Sequence, residues 1–190
     1  EPSSTVRFVE LAIEAGLPAG VINIVHGGPD EVNALIEHEH VKAVSFIGST
    51  HVGTNIYNHA SQHGKRAQSM MGAKNHMVIM PDAHKTKTID GLVGSAVGAA
   101  GQRCMAISVA VFVGNSSEWI GELKEKMEAV KPGPWDLDTS GYGPVISSSA
   151  KDRILDLIET GKKEATCLLD GSKCKVEGSP DGNWIGPTLF

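Results

Sequence analysis

No run of this 190-residue sequence is long and apolar enough to cross a bilayer. The greasiest stretch, residues 91–114, is cut by Gln102 and Arg103 into halves shorter than the ~20 residues that a spanning helix needs. A basic excess is also missing: 17 Lys and Arg stand against 22 Asp and Glu, for a net charge of -5. Because the cations are scattered, no stripe can neutralise a phosphate backbone, and neither nucleic acid nor membrane is an expected partner. Aromatic residues make up only 5%, so a core must be built from the aliphatic part of a 41% hydrophobic content. The three cysteines, Cys104, Cys167 and Cys174, form neither a CxxC pair nor an even-numbered disulfide framework. That usage suits a reducing compartment such as bacterial cytoplasm or mitochondrial matrix. The opening "EPSST" has neither an initiating Met nor a charged and apolar leader, so the expectation is a piece of a longer protein.

What is present is an alternation of helical and extended patterns. Val6, Val9, Ile13 and Leu17 follow helical spacing behind Ser3 or Ser4, with Gly16 and Pro18 as stops. "GVINIV" (20–25) reads as a buried strand, and Pro29, Asp30 and Glu31 as the first turn of a second helix. Strand 41–46, a helix from about Ser49 to Gly64, and extended segments "KRAQSMM" and "NHMVIM" follow. Then come a helix bearing Ile89, Leu92 and Val93, strand 107–113, a helix capped at Ser117 and running to Val130, a Pro- and Gly-rich surface loop over 131–144, and a helix over 148–161. The closing "GPTLF" reads as a strand. This order predicts an α/β fold with a mostly parallel sheet and a handover between two lobes near Met71 to Asn75.

Three places stand out chemically. In "SFIGST", Gly48 follows a strand and Ser49 opens a helix, where backbone donors and the positive helix end suit a pyrophosphate or ribose; taken singly, the stretch reads more simply as an N-cap after a turn. Gly91, Gly94, Gly98 and Gly101 each cost a helix interior about 1 kcal/mol against alanine, which asks for close packing or close approach of a cofactor. Gln102 and Arg103 interrupt an apolar run beside Cys104, which predicts that the chain meets water or a polar cavity there. Cationic Arg103 would favour a nucleophilic thiolate; an inert core cysteine is the competing reading. His59 and His63 share a helix face, but the sequence signals no third ligand, so no metal is assigned.

Taken together, "FIGST", "MMGAKNH" and "GAAGQRCMAIS" resemble the aldehyde dehydrogenase family, and within it the CoA-acylating branch that oxidises malonate-type semialdehydes. The resemblance implies the second half of a Rossmann-like cofactor domain over about 1–71, followed by the first part of an α/β catalytic domain over 72–190. It implies that Cys104 attacks the aldehyde, NAD takes the electrons, and an acyl thioester remains on the enzyme. Ser49 and Gly48 would lie against the cofactor's phosphate and ribose, and Met71 would offer backbone to the nicotinamide side. Arg103 would hold the carboxylate of malonate or methylmalonate semialdehyde.

One departure from the hydrolytic members is informative. Where they resemble "ELGGKN", with a glutamate that activates water, this chain has Met70 in "SMMGAKN". A thioether cannot accept a proton, so release to CoA with loss of carbon dioxide is the expectation, giving acetyl-CoA or propionyl-CoA. Two alternatives stay open: a hydrolytic semialdehyde dehydrogenase with its base elsewhere, and a non-catalytic α/β binding or assembly module. The resemblance further implies a homo-oligomer, and 190 residues that by themselves lack useful turnover.

Overall fold

A computed structural model that describes residues 2–190 shows the mixture of helices and strands that the periodicity predicts. The chain divides into two units, Glu1–Gly72 and Ala73–Phe190.

In the first unit, α1 (Pro2–Glu14) ends ahead of Gly16, whose φ of 101° only glycine adopts without strain. Segment 20–25 corrects the sequence reading, since it forms no strand and leaves Val21 62% and Val25 61% exposed. A strand needs a neighbour to take its backbone donors, and this unit's sheet pairs only β1 (Ala43–Ile47) with β2 (Arg66–Met70). Helix α2 (Pro29–Glu37) starts as expected on proline. The Glu31 carboxylate accepts a hydrogen bond of 2.6 Å from Gly28 N, tying down the helix entry. β1, α3 (Thr50–Gln62) and β2 form a parallel β-α-β unit in register from Ala43↔Arg66 to Ile47↔Met70. Alternate strand residues Val44, Phe46 and Ala67 pack on Ile36, Ile56 and Ala60, while the opposite face carries Ile47 at 70% exposure.

The second unit pairs β3 (Asn75–Ile79) with β4 (Ile107–Phe112), again parallel, around α4 (Lys85–Val97). Ile79, Ile89, Leu92, Val93, Leu123 and Met127 make its main core, each such aliphatic contributing about 1.5–3 kcal/mol when fully buried. Ser117 does not cap the next helix. Instead a 3₁₀ turn, Gly114–Trp119, intervenes and α5 (Ile120–Ala129) begins without a side-chain cap. That turn is pinned by Ser116, which is fully buried and donates to Ile79 O (3.0 Å) or Val113 O (2.8 Å). After the 131–144 loop, Ser147 accepts from Ala150 N (3.1 Å) and caps α6 (Ser148–Glu164). Val145, Ile158 and Ile185 form a second cluster, beside which buried Tyr142 donates to Ile185 O at 2.8 Å. The terminal "GPTLF" is also corrected, because it makes one antiparallel bridge, Leu169 to Leu189, in place of a strand.

Candidate functional site

In the first unit, Gly48, Ser49 and Met71 come together at the C-terminal ends of β1 and β2, the edge where open parallel sheets receive ligands. Gly48 N donates to Met70 O at 3.1 Å, locking the turn out of β1 onto the end of β2. Its missing side chain has a packing reason, since a Cβ there would lie 2.5 Å from Phe46 Cζ. Ser49 caps α3 through a long bond from Val52 N (3.5 Å), and the first-turn N–H groups beside it have no intrahelical acceptor. Met71 lies across the same helix start. Its Cγ would meet a Cβ on Gly53 at 2.6 Å, Thr54 Oγ1 donates to its sulfur at 3.6 Å, and the following Gly72 N donates to Thr50 Oγ1 at 3.3 Å. A capped helix start over a parallel-strand edge fits a nucleotide's anionic and hydroxyl groups.

Arg103 and Cys104 belong to the second unit, on the loop between α4 and β4. Gly101 through Met105 are all exposed, so the polar break does mark solvent, and Cys104 is a free thiol at the surface. Two side chains hold this loop. Asn75 Nδ2 donates to Cys104 O and to Ala106 O, each at 2.9 Å. Gln102 donates from Nε2 to Ala99 O (2.9 Å) and Pro144 O (3.3 Å), and its Oε1 accepts from Ile146 N (2.9 Å). At the start of the loop, Ala99 and Ala100 have φ of 53° and 54°, left-handed backbone that costs an L-residue roughly 1–2 kcal/mol. Backbone strain of this kind collects where a side chain must be presented in one geometry.

The Arg103 guanidinium folds over Gly98, where a Cβ would meet Nη1 at 2.6 Å, a contact that a swing of the exposed Arg103 side chain would relieve. Gly101 is explained by its φ of 73°. A Cβ on Gly91 or on Gly94 would meet nothing within 4 Å, so close packing does not account for either. Cys167 donates to Leu169 O (3.4 Å) and burial pushes the Cys174 thiol up, which sets both apart from exposed Cys104. Met70, 54% exposed at the end of β2, offers no proton acceptor. Sequence reasoning passed over Asn75 as part of an extended segment; its anchoring role spans 29 residues of chain and leaves no periodic signal.

Comparison with known proteins finds relatives along the whole chain. Human mitochondrial methylmalonate-semialdehyde/malonate-semialdehyde dehydrogenase (acylating) is 47% identical over 190 residues, covering 100% of this chain and 36% of that protein. A crystal structure from Sinorhizobium meliloti 1021, assigned to methylmalonate-semialdehyde dehydrogenase and complexed with NAD, superposes with a TM-score of 0.93 at 43% identity, over 100% of this chain and 39% of that one. Methylmalonate-semialdehyde dehydrogenase from Oceanimonas doudoroffii gives a TM-score of 0.92 at 40% identity, over 98% and 39% of the two chains. This chain thus spans little more than a third of the length of its curated relatives. The aldehyde dehydrogenase family profile matches residues 1–190 throughout, and the chain belongs to that family.

Proposed function

We propose that the protein oxidises malonate or methylmalonate semialdehyde with NAD and passes the acyl group to CoA, using Cys104 as nucleophile. The observation that carries this reading is an exposed thiol on a strained loop whose two ends are anchored by Asn75 and Gln102. The relatives' names supply the semialdehyde and the acylating chemistry. In this assignment residues 1–71 belong to the NAD-binding domain and residues 72–190 to the catalytic domain.

The chain's own residues divide the work. Gly48, Ser49 and the backbone of Met71 bind and orient the cofactor at the β1–β2 edge, and Arg103 presents a forked donor to the substrate carboxylate. The Cys104 thiolate adds to the carbonyl carbon, and the new C–S bond makes a tetrahedral thiohemiacetal. NAD, when bound, supplies the acceptor for the hydride that leaves that carbon, so the aldehyde is oxidised to a thioester. Because Met70 cannot deprotonate water, the CoA thiolate takes the acyl group and Cys104 departs as thiolate; the free carboxylate leaves as carbon dioxide, and the electron pair left on the α-carbon takes up a proton from solvent. The relatives named mitochondrial favour a matrix location in animals, in keeping with three free cysteines.

Product analysis of a purified chain of the relatives' full length, containing these 190 residues, tests the reading. Acetyl-CoA or propionyl-CoA, with carbon dioxide, is expected only when CoA is supplied. Free acid formed at the same rate without CoA would overturn the acylating assignment in favour of hydrolysis. Turnover surviving in Cys104→Ala would remove the nucleophile.

A further inference from the structure

We propose that Glu37, His59 and His63 form a binding site for a divalent transition-metal ion of the zinc class, which ties the C-terminal end of α2 to that of α3. One ligand atom from each of the three residues lies within 4.8 Å of the others. The two histidines are the i, i+4 pair visible in the sequence; the fold supplies the third donor from a different helix, 22 positions away from His59 along the chain. Two imidazoles and a carboxylate, with a fourth place for water, are a donor set that suits Zn(II).

The geometry is close to what a metal requires. Ligand atoms about 2.1 Å from a tetrahedral Zn(II) are roughly 3.4 Å from one another. His59 Nε2 and Glu37 Oε1 already stand 3.1 Å apart, and the His59 and His63 rings meet edge to face with centroids 4.9 Å apart. His63 Nδ1 donates to His59 O at 2.9 Å. That bond leaves the lone pair on Nε2 and fixes the ring, as a backbone carbonyl commonly does behind a ligating histidine. Glu37 and His63 are exposed, so their side chains turn inward without disturbing the core, while His59 is held half-buried beside buried Ile56 and Ala60. His63 also closes α3, where the negative end of the helix dipole favours a cation.

The alternative is a His59–Glu37 hydrogen bond with His63 as a bystander. Calorimetric titration with Zn²⁺ distinguishes the two, performed on a Cys104→Ser background so that the exposed cysteine does not compete. One equivalent is expected to bind, and Co²⁺ in its place is expected to give the visible absorption of a tetrahedral centre. His63→Ala and His59→Gln should each weaken binding by more than the roughly 10–100-fold that loss of an outer hydrogen-bond partner costs, with helicity by circular dichroism unchanged. Glu37→Gln keeps the side chain's shape and should weaken binding likewise. His51→Ala, on the same helix, should leave it intact. No binding by the background protein, or binding that survives loss of both His59 and His63, overturns the site.

Discussion

A Cβ on Gly171 would be driven into the backbone carbonyl of Gly186, with no flexible group able to give way, whereas Gly91 in α4 has open space around it. Gly171→Ala should therefore destabilise the chain by about 1–3 kcal/mol through overpacking, and Gly91→Ala should stabilise it by up to about 1 kcal/mol through helix propensity. Urea midpoints of the two variants of the 190-residue chain, moving in opposite directions, check this. The cysteines make a second prediction at the same scale. Iodoacetamide should label Cys104 before Cys174 near neutral pH, because one thiol is exposed and burial raises the other's pKa; peptide mapping over time reads the order. Exposure of Cys104 was legible in the sequence, since Gln102 and Arg103 have no reason to sit in an apolar run away from water. The left-handed Ala99 and Ala100 were not legible, because alanine favours ordinary helix and only the surrounding fold forces it elsewhere.

At the scale of elements, α2 shows how one charge fixes a helix start. Hydrogen bonding from its own backbone N–H, and then from Gly28 N, holds the Glu31 carboxyl below its ordinary value. The folded state thus favours the carboxylate, so the stabilising contribution is complete above the unfolded value, about pH 4.3, and is lost as pH falls through the lower folded value. Glu31→Ala should lower the urea midpoint at neutral pH, and the gap between variant and parent should narrow as the solution becomes acidic below about pH 4. A constant gap across that range would remove the charge from the explanation. The start of α2 was readable from Pro29 and its acidic neighbours because capping chemistry is local. Segment 20–25 was misread for the opposite reason: an apolar run announces burial, yet whether it becomes a strand depends on a ladder partner elsewhere. Ser117 failed as a cap in a similar way, since it lies inside the 3₁₀ turn, where its hydroxyl donates to Gly114 O (3.1 Å), and Trp119 holds the cap position of α5.

At the scale of the whole molecule, surface area decides what the chain can do by itself. It exposes 12822 Å², whereas a folded monomer of 20.0 kDa exposes about 8,700 Å². Counting the two units as separate bodies, with mass shared by length, raises the expectation only to about 10,400 Å². The excess is apolar in part: α1 buries no residue, and Ile47, Val78 and Val111 are 70%, 61% and 41% exposed on strand faces that carry no covering helix. Periodicity revealed these residues as apolar but could not say what lies against them. A protein limited to these 190 residues should accordingly bind the apolar dye ANS in its folded state. It should also reduce NAD with malonate semialdehyde at least ~10²-fold more slowly than a chain of its relatives' length, as loss of a single transition-state donor already costs that much. Steady-state NADH formation compares the two. Equal rates would mean that the bare faces are not needed to organise Cys104, Arg103 and the cofactor edge, and that these 190 residues suffice for the chemistry.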